Sequence, residues 1–213
     1  MVVGVVGLGL IGGSLAISLK KRGFASKIIG VDNNPNHSSE ALGSNIVDEV
    51  CGLSQAAQLA DIIILAIPVD AGKAVLPLLL DQTKEGQVII DMGSTKGGIC
   101  MVADQHPNRK NFVASHPIAG TENAGPSAAF DGLYDNKITI ICDEEKSLPS
   151  AVNVCKKLYE TLKMRVQFMD SQEHDRHIAY VSHLSHITSF VLGQTVLEIE
   201  KDEKSIFNMA GSG

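Results

Sequence analysis

Short apolar runs alternate with segments of helical periodicity along most of this chain. The runs have the length of β-strands, and several are apolar throughout, which is typical of parallel strands buried on both faces. They occupy residues 2–6, 27–32, 61–68, 87–91, 112–115, 138–142 and 166–169, with a weaker run near 46–47. Strands that alternate with helices indicate βαβ units. Right-handed crossovers then predict an α/β, doubly wound fold with a mostly parallel sheet.

The pattern changes after Asp170. Apolar residues keep helical spacing for about six turns over residues 178–199, and no strand-like run follows them. Such a helix predicts the start of an all-helical domain, so we divide the chain into residues 1–169 and 170–213. The second segment is too small to close a core by itself, and we expect it to need a partner chain or further residues.

Three glycines lie between the first apolar run and the first helical segment. Gly7, Gly9 and Gly12 have the spacing G-x-G-x-x-G. In a dinucleotide-binding turn the first permits a tight turn, the second lets backbone approach a pyrophosphate, and the third lets helix and strand pack closely. The helix that starts at Leu10 and Ile11 would direct its free N–H groups at the phosphates. Glycines also mark ordinary turns, but this position favours a Rossmann-type cofactor site.

An acid ends the second run. Asp32 lies 20 positions beyond Gly12, the separation at which a carboxylate binds the adenosine ribose and repels a 2′-phosphate. Asp also begins many turns, but behind a matched glycine turn the ribose role is favoured. Because no arginine follows closely, we expect NAD rather than NADP. Ala66 and Pro68 end the third run, where open α/β sheets bind ligands, and we assign them to the same cofactor.

The amino-acid composition and net charge restrict the classes of protein to which this chain can belong. The 213 residues are 44% hydrophobic and 20% charged, as in a globular chain with a sizeable core. The net charge of −6 argues against nucleic acid as a partner, and no apolar stretch approaches the ~20 residues of a membrane span. The four cysteines form no C-x-x-C pair and indicate buried thiols in a reducing compartment. With no secretory signal pattern at the start, we expect a cytoplasmic protein.

Five of the seven histidines lie between residues 116 and 186, which raises the question of a metal site. On one continuous helix, His174 and His183 would point to opposite sides. His183 and His186 would share a face, but no third ligand follows at a matching spacing. We therefore expect no metal ion.

Three polar residues follow predicted strands at the edge where this architecture binds ligands. His116 is either a structural turn histidine or a neutral imidazole that takes a proton from a substrate hydroxyl as hydride leaves the same carbon. Ser94 is either a helix N-cap or a ligand for a substrate oxygen. Lys96 is either a solvated surface charge or the partner of an anionic ligand.

Three segments, taken together and in order, closely resemble the prephenate dehydrogenase family. They are GLGLIGGS at 7–14, DMGSTK at 91–96 and HPIAGTE at 116–122. His174-Asp175 and the SHLSH segment at 182–186 match that family's helical-domain motifs, so the resemblance covers the whole chain. It implies a Rossmann-type NAD-binding domain, a helical domain that forms a homodimer, and oxidative decarboxylation of prephenate to 4-hydroxyphenylpyruvate in tyrosine biosynthesis.

The resemblance also implies roles for individual residues. His116 would be the catalytic partner of the substrate C4 hydroxyl, and Ser94 would contact that hydroxyl and the nicotinamide region. Together with Lys96, the substrate-binding residues would then be Thr121, Glu122, His174, His183 and His186. The family pattern continues past a segment like residues 210–213 to a substrate-binding arginine, and this sequence stops before it. An arogenate dehydrogenase and a catalytically silent NAD-binding module are the alternatives.

Overall fold

The computed structural model describes residues 1–200, apart from the side chains at 182, 183, 185, 186 and 200. The His183 and His186 side chains, for which roles are predicted, and the motif-like segment at residues 210–213 therefore lie outside the described residues. The chain forms two compact units: the first is Met1–His174 and the second begins at Asp175.

Strands and helices alternate through the first unit, as the hydrophobic pattern predicts. The strands are β1 Val2–Val6, β2 Lys27–Val31, β3 Glu49–Val50, β4 Ile62–Leu65, β5 Val88–Asp91, β6 Phe112–Pro117, β7 Ile138–Cys142 and β8 Arg165–Met169. The α-helices of the described residues are α1 Leu10–Lys21, α2 Pro35–Gly43, α3 Leu53–Leu59, α4 Val69–Asp81, α5 Gly97–Asp104, α6 Pro149–Thr161, α7 Ser171–Ile178 and α8 Leu184–Glu200.

One sheet contains all eight strands, in the order β3-β2-β1-β4-β5-β6-β7-β8. Neighbouring strands run parallel except at β6 and β7, which are antiparallel. The first six strands have the 3-2-1-4-5-6 order of doubly wound dinucleotide-binding domains. The α/β, mostly parallel, Rossmann-type fold predicted from the sequence is therefore confirmed.

The central strands are buried on both faces because helices cover both sides of the sheet, whereas the edge strand β8 is largely exposed. In β4 the side chains alternate: Ile62 and Ile64 join one apolar core, and Ile63 and Leu65 join the other. All four are at most 1% exposed. This explains why a continuous apolar run, rather than an alternating one, forms a strand here.

The weak strand expected near residues 46–47 lies slightly further along the chain. Ile46 and Val47 are buried against the first core, whereas the residues that pair with β2 are Glu49 and Val50. The carboxylate of Asp48 accepts a hydrogen bond from Ile28 N at 2.8 Å just before this pairing begins. Apolar character at 46–47 therefore reflects loop packing rather than strand pairing.

The second unit is helical in its described part, with the end of α7, a π-helical turn over Ala179–His183, and α8. Large apolar side chains are exposed along it, among them Tyr180, Ile187 and Phe190, which are 73%, 58% and 79% exposed. Exposed apolar surface on this scale marks interaction sites, which is the physical basis of the predicted need for a partner. None of the described helices combines the length and apolar character needed to cross a membrane.

Candidate active site

The turn from β1 into α1 depends on glycine at its first and third motif positions. Gly7 has a φ of +94°, and a Cβ there would overlap the carbonyl oxygen of Ala66. A Cβ on Gly12 would overlap the carbonyl oxygen of Gly7. Both positions therefore require glycine, because the backbone carbonyl groups that a Cβ would overlap cannot move aside without disturbing the surrounding packing.

Gly9 differs from the other two. Its φ of −68° suits any L-residue, and a Cβ there would meet no atom of the described chain within 4 Å. Gly9 starts α1 at the surface of a cleft and has no side chain to cap the helix. The packing around Gly9 thus leaves open space at the position where the second glycine of a dinucleotide-binding turn lets a pyrophosphate approach. The turn therefore fits a pyrophosphate group.

The first cleft, which we call the Asp32 cleft, has a volume of about 520 Å³. Gly7, Gly9 and Asp32 line it together with Ala66 and Pro68. Its lining also includes residues that the sequence did not single out, namely Asn33, His37, Leu53, Ile67, Ala71 and Val75. The predicted cofactor residues Leu10 and Gly12 are buried behind this surface.

Asp32 is held in place by backbone N–H groups. One carboxylate oxygen accepts from Leu8 N and the other from Asn34 N, both at 2.8 Å. The side chain is 8% exposed, and Nδ1 of His37 lies 3.6 Å from Oδ2. Asp32 therefore both anchors the glycine turn and presents a fixed negative charge at the wall of the cleft.

A second cleft of about 260 Å³ shares Ala66, Ile67 and Pro68 with the first, and we call it the His116 cleft. Ser94 and His116 line it. They follow or end β5 and β6, which pair in parallel, so both lie at the carboxyl edge of the sheet. Ile11, Val69, Met92, Gly93, Pro117 and Ala119 complete the lining. The structure thus brings the predicted Ser94 and His116 to one apolar cleft beside the Asp32 cleft.

His116 is hydrogen-bonded to a second histidine. Its Nδ1 lies 3.0 Å from Nε2 of His174, and the two rings meet edge to face. His174 is 0% exposed. It therefore contacts His116 from behind and is not among the residues that line the cleft. Because one of the two facing nitrogens must donate and the other accept, the contact couples the tautomers of the two rings and holds the orientation of the His116 ring.

The ammonium of Lys96 is buried away from solvent. The side chain is 0% exposed, its ammonium forms an ion pair with Asp91, and it donates to the carbonyl oxygen of Ser115 at 2.8 Å. The solvated surface charge considered from the sequence is therefore wrong, whereas a role of Lys96 toward a substrate stays a prediction. Burying a lysine requires such partners, because an unpaired ammonium in a protein interior is strongly unfavourable.

Thr121 and Glu122 lie on the exposed loop after β6. The hydroxyl of Thr121 accepts from Asn123 N at 3.2 Å, and neither residue lines the two clefts. The described side chains contain no group of three or more His, Cys, Asp or Glu residues that could hold a metal ion.

Comparison with known proteins assigns both parts of the chain. Residues 15–168 match the family model described as prephenate dehydrogenase, nucleotide-binding domain, and residues 170–213 match the prephenate dehydrogenase dimerization domain. The prephenate dehydrogenase of Bacillus subtilis (strain 168) is 33% identical over 192 residues, which are 87% of this chain and 51% of that protein. The chain spans about half the length of the curated relatives it matches.

Solved structures have the same fold over the whole chain. Prephenate dehydrogenase from A. aeolicus, in complex with hydroxyphenyl propionate and NAD+, is 32% identical with a TM-score of 0.88, over 100% of this chain and 75% of that one. Synechocystis arogenate dehydrogenase is 29% identical with a TM-score of 0.82, over 100% of this chain and 76% of that one.

Proposed function

Because this chain belongs to the prephenate dehydrogenase family, we propose that it catalyses the NAD-dependent oxidative decarboxylation of prephenate to 4-hydroxyphenylpyruvate. The observation that carries the proposal is the placement of Ser94 and His116 in one cleft, directly beside the Asp32 cleft. The proposed domains are residues 1–169 for the cofactor and 170–213 for substrate and dimerisation, in line with the two family matches.

The Asp32 cleft would hold NAD. Gly7, Gly9 and the start of α1 would bind the pyrophosphate, and Asp32 would bind the adenosine ribose. The nicotinamide would then lie in the His116 cleft, against Ala66, Pro68 and Ser94. When bound there, NAD supplies the acceptor for a hydride. The A. aeolicus structure, which contains NAD+, supports this cofactor.

Asp32→Ser is expected to narrow the preference for NAD over NADP. The carboxylate repels a 2′-phosphate at close range, and like charges placed together cost several kcal/mol, so we expect the ratio of the two affinities to change by about tenfold or more. Titration of each dinucleotide against the two proteins measures it. Asn33→Ser, which alters a neighbouring cleft residue without removing charge, is the matched control. An unchanged ratio in Asp32→Ser would reassign Asp32 to anchoring the turn alone.

His116 would act as the general base. In the tautomer that serves as a base, Nδ1 of His116 would donate to His174, and Nε2 would carry the lone pair that accepts the proton of the substrate C4 hydroxyl as the C4–H bond breaks. Ser94, exposed in the same cleft, would hold that oxygen. Removing the proton drives electrons into a C4 carbonyl while the hydride leaves.

Loss of carbon dioxide follows from the product of that step. The oxidised ring is a dienone, so the C1–carboxylate bond can break with its electron pair moving into the ring. The former carbonyl oxygen then takes up the proton held by His116 and becomes a phenol, which restores the proton balance. Aromatisation makes this step strongly favourable. The residues proposed for the rest of the substrate site are Lys96, Thr121, Glu122, His174, His183 and His186, of which the buried Lys96 and His174 would act through other groups.

Arogenate is the second candidate substrate. The likeness to Synechocystis arogenate dehydrogenase, at a TM-score of 0.82, favours it, because arogenate has the same ring and an ammonium in place of the side-chain keto group. A homodimer formed through the helical unit, supported by the dimerization-domain match, and a cytoplasmic location complete the proposal.

One assay separates these functions. The purified protein is mixed with NAD and either prephenate or arogenate, and absorbance of the reduced nicotinamide is followed. Reduction with prephenate supports the proposal, whereas reduction with arogenate alone replaces the substrate. Binding of NAD without reduction by either compound would identify a catalytically silent NAD-binding module.

A further inference from the structure

The ammonium of Lys96 lies between β5, the strand that precedes Ser94, and β6, the strand that contains His116. It contacts the side chain of Asp91, the last residue of β5, and the main chain of Ser115 in β6. The lysine is 0% and Asp91 2% exposed. A single buried cation thus bridges two neighbouring strands at their carboxyl edge.

On the β5 side, the contact extends to the turn that bears Ser94. Oδ1 of Asp91 accepts a hydrogen bond from Gly93 N at 3.0 Å, while Oδ2 is the atom that faces Lys96. The carboxylate therefore links the ammonium to the residue directly before Ser94. A Cβ on Gly93 would lie 2.9 Å from the Val69 side chain, so this turn has little room to shift.

On the β6 side, the contact reaches the residue directly before His116. Lys96 donates to the Ser115 carbonyl at 2.8 Å. The Ser115 hydroxyl donates to the main-chain oxygen of Asp91 and lies 2.6 Å from the hydroxyl of Tyr159 on α6. Burial raises the pKa of Tyr159 well above its usual value, so the phenol keeps its proton. These contacts join the same two strands a second time.

The residue type suits this bridging role. An ammonium has three donors and no acceptor, so it can bond a carboxylate and a carbonyl on different strands at once. Apolar residues of similar volume often stabilise an interior as well as a buried ion pair does, but they cannot hold two polar strand ends at a set separation. Stability alone therefore does not account for a lysine at this position.

We propose that Lys96 is a positioning residue that sets the separation of Ser94 and His116 by tying Asp91 to the Ser115 carbonyl. The proposal rests on the proposed function for its effect on turnover. A displacement of about 1 Å in a catalytic group can cost on the order of 10² in rate, so the expected loss falls on kcat. None of these residues lines the Asp32 cleft, which would hold the pyrophosphate and the adenosine ribose, so the affinity for NAD should change little.

The test compares Lys96→Met with the double variant Lys96→Met/Asp91→Asn. The single variant leaves a buried carboxylate without its cation and is expected to be less stable. The double variant removes both charges, and its Asn oxygen can still accept from Gly93 N, so it isolates the loss of the bridge. Lys27→Met, which breaks the partly exposed ion pair between Lys27 on β2 and Glu49 on β3, is the matched control. We expect kcat in the folded double variant to fall by about 10-fold to 100-fold, with NAD binding and the control unchanged.

A spectroscopic measurement keeps the proposal testable even without turnover. In protein labelled with ¹³C-histidine, the imidazole signals of His116 and His174 are expected to shift or divide in the double variant. The signal of His106, which is bonded to Asp81, should stay in place. Unmoved His116 signals, or a kcat equal to that of the unchanged protein, would overturn the positioning role. Absence of turnover in the unchanged protein, with shifted His116 signals in the variant, would overturn the proposed function and leave the bridge supported.

Discussion

Replacing His116 with asparagine is expected to lower kcat by about 10²–10⁴, the usual contribution of a general base. Asparagine keeps a hydrogen-bonding amide of similar reach but cannot accept a proton at neutral pH. The residue lines the His116 cleft and not the Asp32 cleft, so the affinity for NAD should change little. Steady-state kinetics and a dinucleotide titration measure the two quantities separately.

The matched control for that change is His106→Asn. His106 is bonded to Asp81 at 3.1 Å and lines neither cleft, so its replacement should leave kcat unchanged. A near-normal kcat in His116→Asn would remove His116 as the base and would favour the structural turn histidine considered from the sequence.

The second large effect is expected from the glycine turn, where two alanine substitutions should have opposite consequences. Gly12→Ala places a methyl group on the Gly7 carbonyl, and overpacking against backbone should lower the free energy of unfolding by about 3 kcal/mol. Gly9→Ala meets open space, so its unfolding free energy should stay within about 0.5 kcal/mol. The Gly9 variant should instead bind NAD at least about tenfold more weakly, or 1.4 kcal/mol, because the methyl group occupies the place of the pyrophosphate.

Thermal or denaturant unfolding without ligand, followed by NAD titration, measures both effects in each variant. The two substitutions serve as controls for each other, since they add the same methyl group three residues apart. Full NAD affinity in a folded Gly9→Ala protein would contradict the assignment of the pyrophosphate to this turn.

Much of this arrangement is predictable because it depends on local patterns. Continuous apolar runs such as 62–65 must be buried on both faces, which requires a parallel sheet with helices on either side. Once the strands are parallel, the residues after β5 and β6 share one edge, so Ser94 and His116 meet without any knowledge of their side-chain contacts. The glycine spacing likewise specifies a backbone path and needs no distant partner.

The features that could not be predicted depend on contacts between distant segments. Nothing near Lys96 in the sequence shows that its ammonium would reach the Ser115 carbonyl, 19 residues away, and an isolated lysine is usually solvated. The pairing of His116 with His174 joins residues 58 apart. His37 comes to the wall of the Asp32 cleft because α2 folds back beside β2, which its own sequence does not indicate. In each case the polar partner is set by tertiary packing.

In the proposed reaction, hydride leaves the hydroxyl-bearing ring carbon of prephenate for a nicotinamide held beside His116. Prephenate that carries deuterium at C4 tests it most directly, with mass spectrometry of the reduced dinucleotide as the measurement. We expect each turnover to place one deuterium on the nicotinamide ring and to release one molecule of carbon dioxide. Reduced dinucleotide without deuterium, or no reduction of NAD by this substrate, would contradict the account.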